Sequence, residues 1–375
     1  MQGCAITRRM ASPLTVQPLA AGVSRGAGRR VVGWWLVLVA LMIGAMVVIG
    51  GLTRLTGSGL SITEWDPILG AIPPLSTPDW MAAFHKYQHI PQYIHEHQGM
   101  TLDQFKGIYW WEWTHRLLGR TIGVVFLVPF LFFVWRGWIT RAQVPRMIVL
   151  FALGGLQGFV GWWMVESGLE TRVSVSQYRL AIHLGVALIL FAAILWTAFE
   201  YLRGARSGKG RKNGVRLPYI FPALVYVQML LGALVAGLHA GLIYNTWPSM
   251  DGRFAPENPF FSQPPWINFF ENAGLAQFDH RIGAYIVAIA AIVVFVSAMR
   301  ARLTGPALTS AYVILTVTFA QIALGIVTLL SQAPILLSAL HQTTALLLLS
   351  AALWHAFEAK RSLPTPVMAR LDPAT

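Results

Sequence analysis

Eight stretches of the chain are nearly unbroken apolar runs, roughly 32–51, 116–135, 147–165, 180–199, 218–238, 280–299, 307–330 and 336–357. Polar connections rich in Gly and Pro separate them. Those after the first and fifth runs, 52–115 and 239–279, are long. Each run is close to the ~20 residues that a helix rising ~1.5 Å per residue needs to cross a ~30 Å hydrocarbon layer. None alternates apolar and polar positions as the strands of a membrane barrel do. In hydrocarbon every backbone polar group must be satisfied within the segment, which leaves helix as the conformer. The pattern predicts an all-α integral membrane protein with eight transmembrane helices.

Composition agrees and removes the other broad classes. Of 375 residues, 55% are hydrophobic and 11% charged, against roughly 25% charged in soluble domains. The net charge of +13 alone would fit a polyanionic partner. With 15 Trp and a mean hydropathy of +0.57, the chain's partner is instead the lipid bilayer, and no nucleic-acid partner is expected. The single cysteine, Cys4, excludes an intrachain disulfide and any cysteine-based zinc or iron–sulfur centre.

The charge is a topology signal. Arg8, Arg9, Arg25, Arg29 and Arg30 precede the first run; Arg136, Arg141 and Arg146 follow the second; Arg203, Arg206, Lys209, Arg211, Lys212 and Arg216 follow the fourth. Arg300 and Arg302 follow the sixth, and Lys360, Arg361 and Arg370 the last. These 19 of the 28 basic residues share one face with only Glu200, Glu358 and Asp372. By the positive-inside rule both termini are cytoplasmic and the two long connections face outward. The first 30 residues, Arg-rich and without acids, have the composition of a presequence as well, and are read here as a short cytoplasmic tail. A bacterial inner membrane is the expected location, ahead of a mitochondrial one.

The chain also repeats itself. Trp113-Thr114-His115-Arg116 opens the second span and Phe278-Asp279-His280-Arg281-Ile282-Gly283 the sixth. Ala181-Ile182-His183-Leu184 in the fourth is answered by Ala339-Leu340-His341-Gln342 in the eighth, and Gly155-Leu156-Gln157-Gly158 in the third by Gln321-Ile322-Ala323-Leu324-Gly325 in the seventh. Two parallel-repeat four-helix bundles follow: an N-terminal half over 32–199 and a C-terminal half over 218–357, joined by a basic linker at 200–217. Tails occupy 1–31 and 358–375. Each half places a histidine near the start of its second and fourth spans, at one depth. A single such histidine is more often an interfacial or hydrogen-bonded residue. Four at matched positions fit axial ligation of iron porphyrin between facing helices, one porphyrin per half. Carboxylates are scarce in the spans, which argues against a hard divalent metal. Arg116 and Arg281 each follow a ligand candidate, and with Arg54 they are candidate contacts for porphyrin propionates.

The halves differ at one informative position. Glu112 precedes His115 by three residues on a shared helix face, whereas Gln277 precedes His280. A carboxylate beside a porphyrin is costly to bury. Either it serves the chemistry, or it is solvated or paired with Arg116 or Arg120. Glu-x-x-His spacing also occurs in di-iron bundles, but these require two such motifs and further Glu residues, and Gln277 breaks the second. The run Gly50-Gly51-Leu52-Thr53-Arg54-Leu55-Thr56-Gly57-Ser58-Gly59-Leu60-Ser61 and its counterpart Gly237 to Gly241 lead into loops that either cover the porphyrin edges or anchor at the interface. His85, His89, His95 and His97 are read as a solvated loop rather than a metal site, and His239 and His355 as interfacial.

The first-loop run resembles the heme A synthase family, as do Phe105-Lys106-Gly107-Ile108-Tyr109-Trp110-Trp111-Glu112-Trp113-Thr114-His115-Arg116, Gln177-Tyr178-Arg179-Leu180-Ala181-Ile182-His183 and Tyr244-Asn245-Thr246-Trp247-Pro248. The resemblance covers nearly the whole chain. It implies an oxidoreductase that converts a porphyrin methyl of heme O to the formyl of heme A for terminal oxidase assembly. His115 and His183 would then hold the substrate heme, and His280 and His341 a permanent heme b. Glu112 matches the family's functional glutamate, as a base toward water or as a stabiliser of positive charge. The cysteine pair of some relatives is absent, so their thiol–disulfide step has no counterpart here. Heme O synthase and an electron acceptor are the partners implied, and a homo-oligomer stays open. The competing reading is a diheme b-type electron carrier working with quinone, and a transporter built on parallel repeats ranks last.

Overall fold

The computed structural model describes residues 19–66, 69–170, 172–204 and 217–362. Most of the terminal tails and residues 205–216 of the basic linker lie outside the described residues. Among the described residues there is no strand, and eight helices are long and apolar enough to cross a membrane. We number them α1 (Leu19–Leu55), α2 (Leu102–Trp135), α3 (Val144–Glu166), α4 (Gln177–Arg203), α5 (Leu217–Gly237), α6 (Ala273–Arg300), α7 (Gly305–Leu330) and α8 (Ile335–Ser362).

All eight expected spans are present, but three helices, α1, α2 and α6, begin well before their apolar runs. The α2 helix starts at Leu102, where Thr101 and Gln104 form a reciprocal capping box. Hydropathy hides this extension because Lys106, Glu112 and Arg116 interrupt the run. Helix persists there because Phe105 and Tyr109 are buried in a small outer core with Leu60, Phe84, Tyr87 and Ile90. Similarly, α6 starts at Ala273, with the Asn272 side chain accepting from the amides of Gly274 and Leu275. His115 therefore stands about four turns into its helix, while His183, His280 and His341 stand about two turns in.

The first connection is not an open loop. α1 ends in a left-handed cap at Gly57, with Ser58 N–H donating to Thr53 O and Gly57 N–H to Arg54 O. Two short helices, Thr77–Tyr87 and Pro91–Glu96, then fold over the extended end of α2. Of the loop histidines, His97 places Nδ1 2.5 Å from the Tyr87 hydroxyl, and His89 Nδ1 lies 2.7 Å from His85 O. Burial pushes the Tyr87 hydroxyl well above the usual phenol range. No group of three metal-ligating side chains exists among the described residues.

Packing follows two closed rings. In one, α1 packs on α2, α2 on α3, α3 on α4 and α4 on α1; in the other, α5, α6, α7 and α8 close in the same order. The rings meet where α1 and α4 face α5 and α8. Lipid gives apolar helices little reason to associate, so close approach through small residues and interhelical hydrogen bonds carry such contacts. Gln342 of α8 donates to Val47 O of α1 at 2.6 Å. Arg203 of α4 pairs with Glu358 of α8 at 3.0 Å. Where α4 begins and α5 ends, a side chain on Gly237 of α5 would meet the Gln177 backbone of α4 at 2.8 Å. Gly237→Val is expected to cost about 1–3 kcal/mol by overpacking. A lowered midpoint of thermal unfolding in detergent checks this, and an unchanged midpoint contradicts the proposed closeness of α4 and α5.

Candidate functional site

The four histidines of the even-numbered helices are all half-buried, and each ring rests against a glycine of the preceding helix. Gly50 of α1 faces His115, Gly161 of α3 faces His183, Gly232 of α5 faces His280 and Gly325 of α7 faces His341. A Cβ at these glycines would stand 2.9, 2.9, 3.1 and 2.8 Å from the nearest ring atom, closer than side chains come at Gly50, Gly161 and Gly325 and a tight fit at Gly232. The ring positions thus depend on four missing side chains. His280 and His341 have ring centroids 6.4 Å apart at an interplanar angle of 78°. A metal–imidazole bond of ~2.0 Å on each side of one iron puts trans ring centres roughly 6.3 Å apart. His280 and His341 are thus spaced as two imidazoles that would hold one iron between them. Ligand sets of two imidazoles with no carboxylate suit porphyrin iron rather than a metal held by protein alone.

Three glutamines that the sequence reading treated only as repeat markers or passed over are drawn to the same places. Gln157 Nε2 donates to His183 O at 3.0 Å and lies 3.0 Å from His183 Nδ1. Gln228 Nε2 donates to His280 O at 2.8 Å and lies 3.0 Å from His280 Nδ1. Gln321 Nε2 donates to His341 O at 3.0 Å, with His341 Nε2 3.4 Å away. Their signal in sequence is Gln-x-x-x-Gly, which puts amide and glycine on one helix face. It becomes meaningful only once α3, α5 and α7 are known to pack on the helices that carry the histidines.

Glu112 is 2% exposed and saturated by its surroundings. Its Oε2 accepts from Ser61 Oγ and from Ile62 N–H, both at 2.8 Å, and its Oε1 from Arg116 Nη2 at 2.5 Å. Arg116 continues into the same loop, donating to Glu64 O at 2.7 Å and Ile62 O at 2.6 Å. The pair fastens the first outer loop to α2. In the other half, Gln277 and Arg281 make the equivalent brace with reversed polarity. Gln277 Nε2 donates to Ala240 O and Ile243 O at 2.7 and 2.6 Å, and Arg281 donates to Gln277 Oε1, Tyr244 O and Ser249 O. One loop presents donors and receives a carboxylate; the other presents carbonyls and receives an amide.

The three candidate propionate contacts therefore separate. Arg116 and Arg281 spend their terminal nitrogens on their own loops. Arg54, in the last turn of α1 and one turn beyond Gly50, has no hydrogen-bond or ion-pair partner among the described residues. Its charge reaches His239 at the start of the second outer loop, where burial first and Arg54 second lower the imidazole below its usual range. His355 is buried and pairs with Ser310 at 2.9 Å, away from these sites.

Comparison with known proteins gives the arrangement its context. Relatives named heme A synthase include one from Parvibaculum lavamentivorans, 49% identical over 329 residues, covering 88% of this chain and 94% of the relative. One from Rhodopseudomonas palustris is 50% identical over 323 residues, covering 86% and 87% of the two chains. One from Sinorhizobium fredii is 45% identical over 359 residues, covering 95% and 98%. A family model described as cytochrome oxidase assembly protein matches residues 33–353, which include all eight helices' cores and all four histidines. The chain belongs to the cytochrome oxidase assembly protein family that this model defines.

Proposed function

We propose that this chain is a heme A synthase that oxidises a ring methyl of heme O to a formyl group. The observation that carries the reading is the set of four histidines seated against four glycines, two per helix ring, in a chain whose named relatives are heme A synthases. In this reading His115 and His183 hold the substrate heme in the N-terminal half. His280 and His341 hold a heme b in the C-terminal half, where it supplies one-electron transfer. The recurring glycine contacts and paired loop braces support the duplicated-bundle reading as well. The basic residues of the short connections support cytoplasmic termini in a bacterial inner membrane.

The residues of the chain divide the work. The glycines let the imidazoles sit between helices, and Arg54 is the cation free to meet a propionate. Glu112 stands three residues from His115 on the same helix. Of its roughly four lone-pair sites, three are occupied by donors. A carboxylate fastened in this way suits a fixed negative charge facing positive charge that develops at the substrate's ring edge. It suits less well a base that must turn to take a proton from water. The loop that Glu112 fastens, with its small aromatic core, keeps water from that edge.

Glu112→Gln tests the assignment. An amide keeps one acceptor oxygen, so its N–H₂ would face either Arg116 or the Ser61–Ile62 donors, and part of the brace is lost with the charge. The expected result is purified protein whose extracted pigments, separated by chromatography, are heme B and heme O with heme A reduced at least about a hundredfold, the usual scale for a preorganised electrostatic group. Heme A at the wild-type level contradicts the role of Glu112. In wild-type protein, heme B alone would favour the diheme electron carrier. Arg54→Leu is expected to weaken retention of the substrate heme through purification while leaving heme B in place; equal retention of both removes Arg54 from propionate binding.

A further inference from the structure

Each odd-numbered helix presents the same two positions to the histidine of the helix that follows. The glycine beneath the ring is preceded, one turn earlier, by Gln157 in α3, Gln228 in α5 and Gln321 in α7. In α1 the residue one turn before Gly50 is Met46. Its placement matches that of Gln228: the Met46 methyl lies against Gly119 of α2, as the Gln228 amide lies against Gly283 of α6, one turn past the respective histidine. The histidine beside Met46 is His115, whose ring has no hydrogen bond among the described residues.

A metal-bound imidazole uses one ring nitrogen for the metal and keeps a proton on the other. That proton is commonly held by a neighbouring oxygen, which fixes the ring and raises its affinity. The three glutamines are equipped for this. Each Nε2 is engaged by the histidine's own backbone carbonyl, and each Oε1 is buried without a partner. As placed, each amide meets its ring through the donor Nε2. Turning the amide about its last bond brings the unspent Oε1 to the ring nitrogen, where it accepts the proton that a metal-bound imidazole keeps. A thioether offers no donor and accepts only weakly. Met46 fills the volume and does nothing to orient the ring.

We propose that Gln157, Gln228 and Gln321 are positioning residues that lock three of the four imidazoles onto iron, and that His115, beside Met46, is the displaceable ligand through which the substrate porphyrin enters and leaves. The proposal rests on the reading of the four histidines as heme ligands. It gives the two halves different jobs by chemistry: the C-terminal pair is clamped on both sides, and the N-terminal pair on one.

Heme capture by excess apomyoglobin, followed by absorbance and by chromatography of the captured pigment, tests this on purified, heme-loaded protein. Wild type is expected to release its farnesylated heme in a fast phase and heme B in a slow one. Met46→Gln is expected to slow the fast phase, and Gln228→Met to speed the slow one, each by at least about tenfold, the lower end for removal of a ligand's outer partner. A merely structural role predicts no gain from Met46→Gln, so that variant carries the test even if Gln228→Met fails to accumulate. Unchanged release from Met46→Gln, while His280→Ala lacks heme B, overturns the proposal and leaves the ligand reading standing. Full heme B retention in His280→Ala overturns both.

Discussion

An imidazole placed between two helices needs a hole in one of them. The four glycines provide it, and the geometry of both helix rings turns on this contact. A Cβ at Gly50, Gly161 or Gly325 would force the ring or its helix to shift, and one at Gly232 would press on its ring. In lipid no hydrophobic force would push them back together, since apolar side chains are as well accommodated by hydrocarbon as by each other. What holds the helices at this spacing is close packing through small residues, and hydrogen bonds made where water cannot compete. The three glutamine amides are such bonds, and so is Gln342 to Val47 O between the halves. Because Gln342 follows His341, and Val47 lies one turn before Gly51 on the helix that seats His115, the two sites share a wall.

Outside the spans, the structure depends on two side-chain braces. Glu112 with Arg116, and Gln277 with Arg281, each reach from a helix into the loop arriving from the previous helix. The loops differ in which backbone groups they turn inward, and the braces differ to match. This gives the Glu/Gln asymmetry a structural basis as well as a chemical consequence. A buried carboxylate with three donors stays where it is placed, and the equivalent brace in the C-terminal half carries an amide instead. Removing Arg116 from such a pair would leave a buried charge uncompensated, typically a cost of about 3–5 kcal/mol. The charge near His115 is therefore maintained by the fold of the outer loop, and the loop in turn by the charge.

Much of this was legible in the sequence because hydrocarbon is a strict solvent. Eight apolar runs can only be helices, and four histidines recurring in register are hard to explain as isolated surface residues. The extension of α2 to Leu102 was not legible, because Lys106, Glu112 and Arg116 break the apolar run although Phe105 and Tyr109 bury a face against the first connection. The loop hydrogen bonds of Arg116 and Arg281 were hidden for a related reason. An arginine after a ligand looks free in sequence, and only the folded loop reveals the carbonyls that consume it. The pairing of glutamine with glycine was visible as letters in α3 and α7. Its meaning requires knowing which helix packs on which, and that is a property of the closed rings rather than of any one segment.

Low-temperature electron paramagnetic resonance of the oxidised, heme-loaded protein tests the central claim most directly. Four imidazoles holding two irons predict two low-spin bis-imidazole signals, one lost in His115→Ala and the other in His341→Ala. A predominantly high-spin spectrum in the wild type, or both signals surviving both substitutions, would contradict the account.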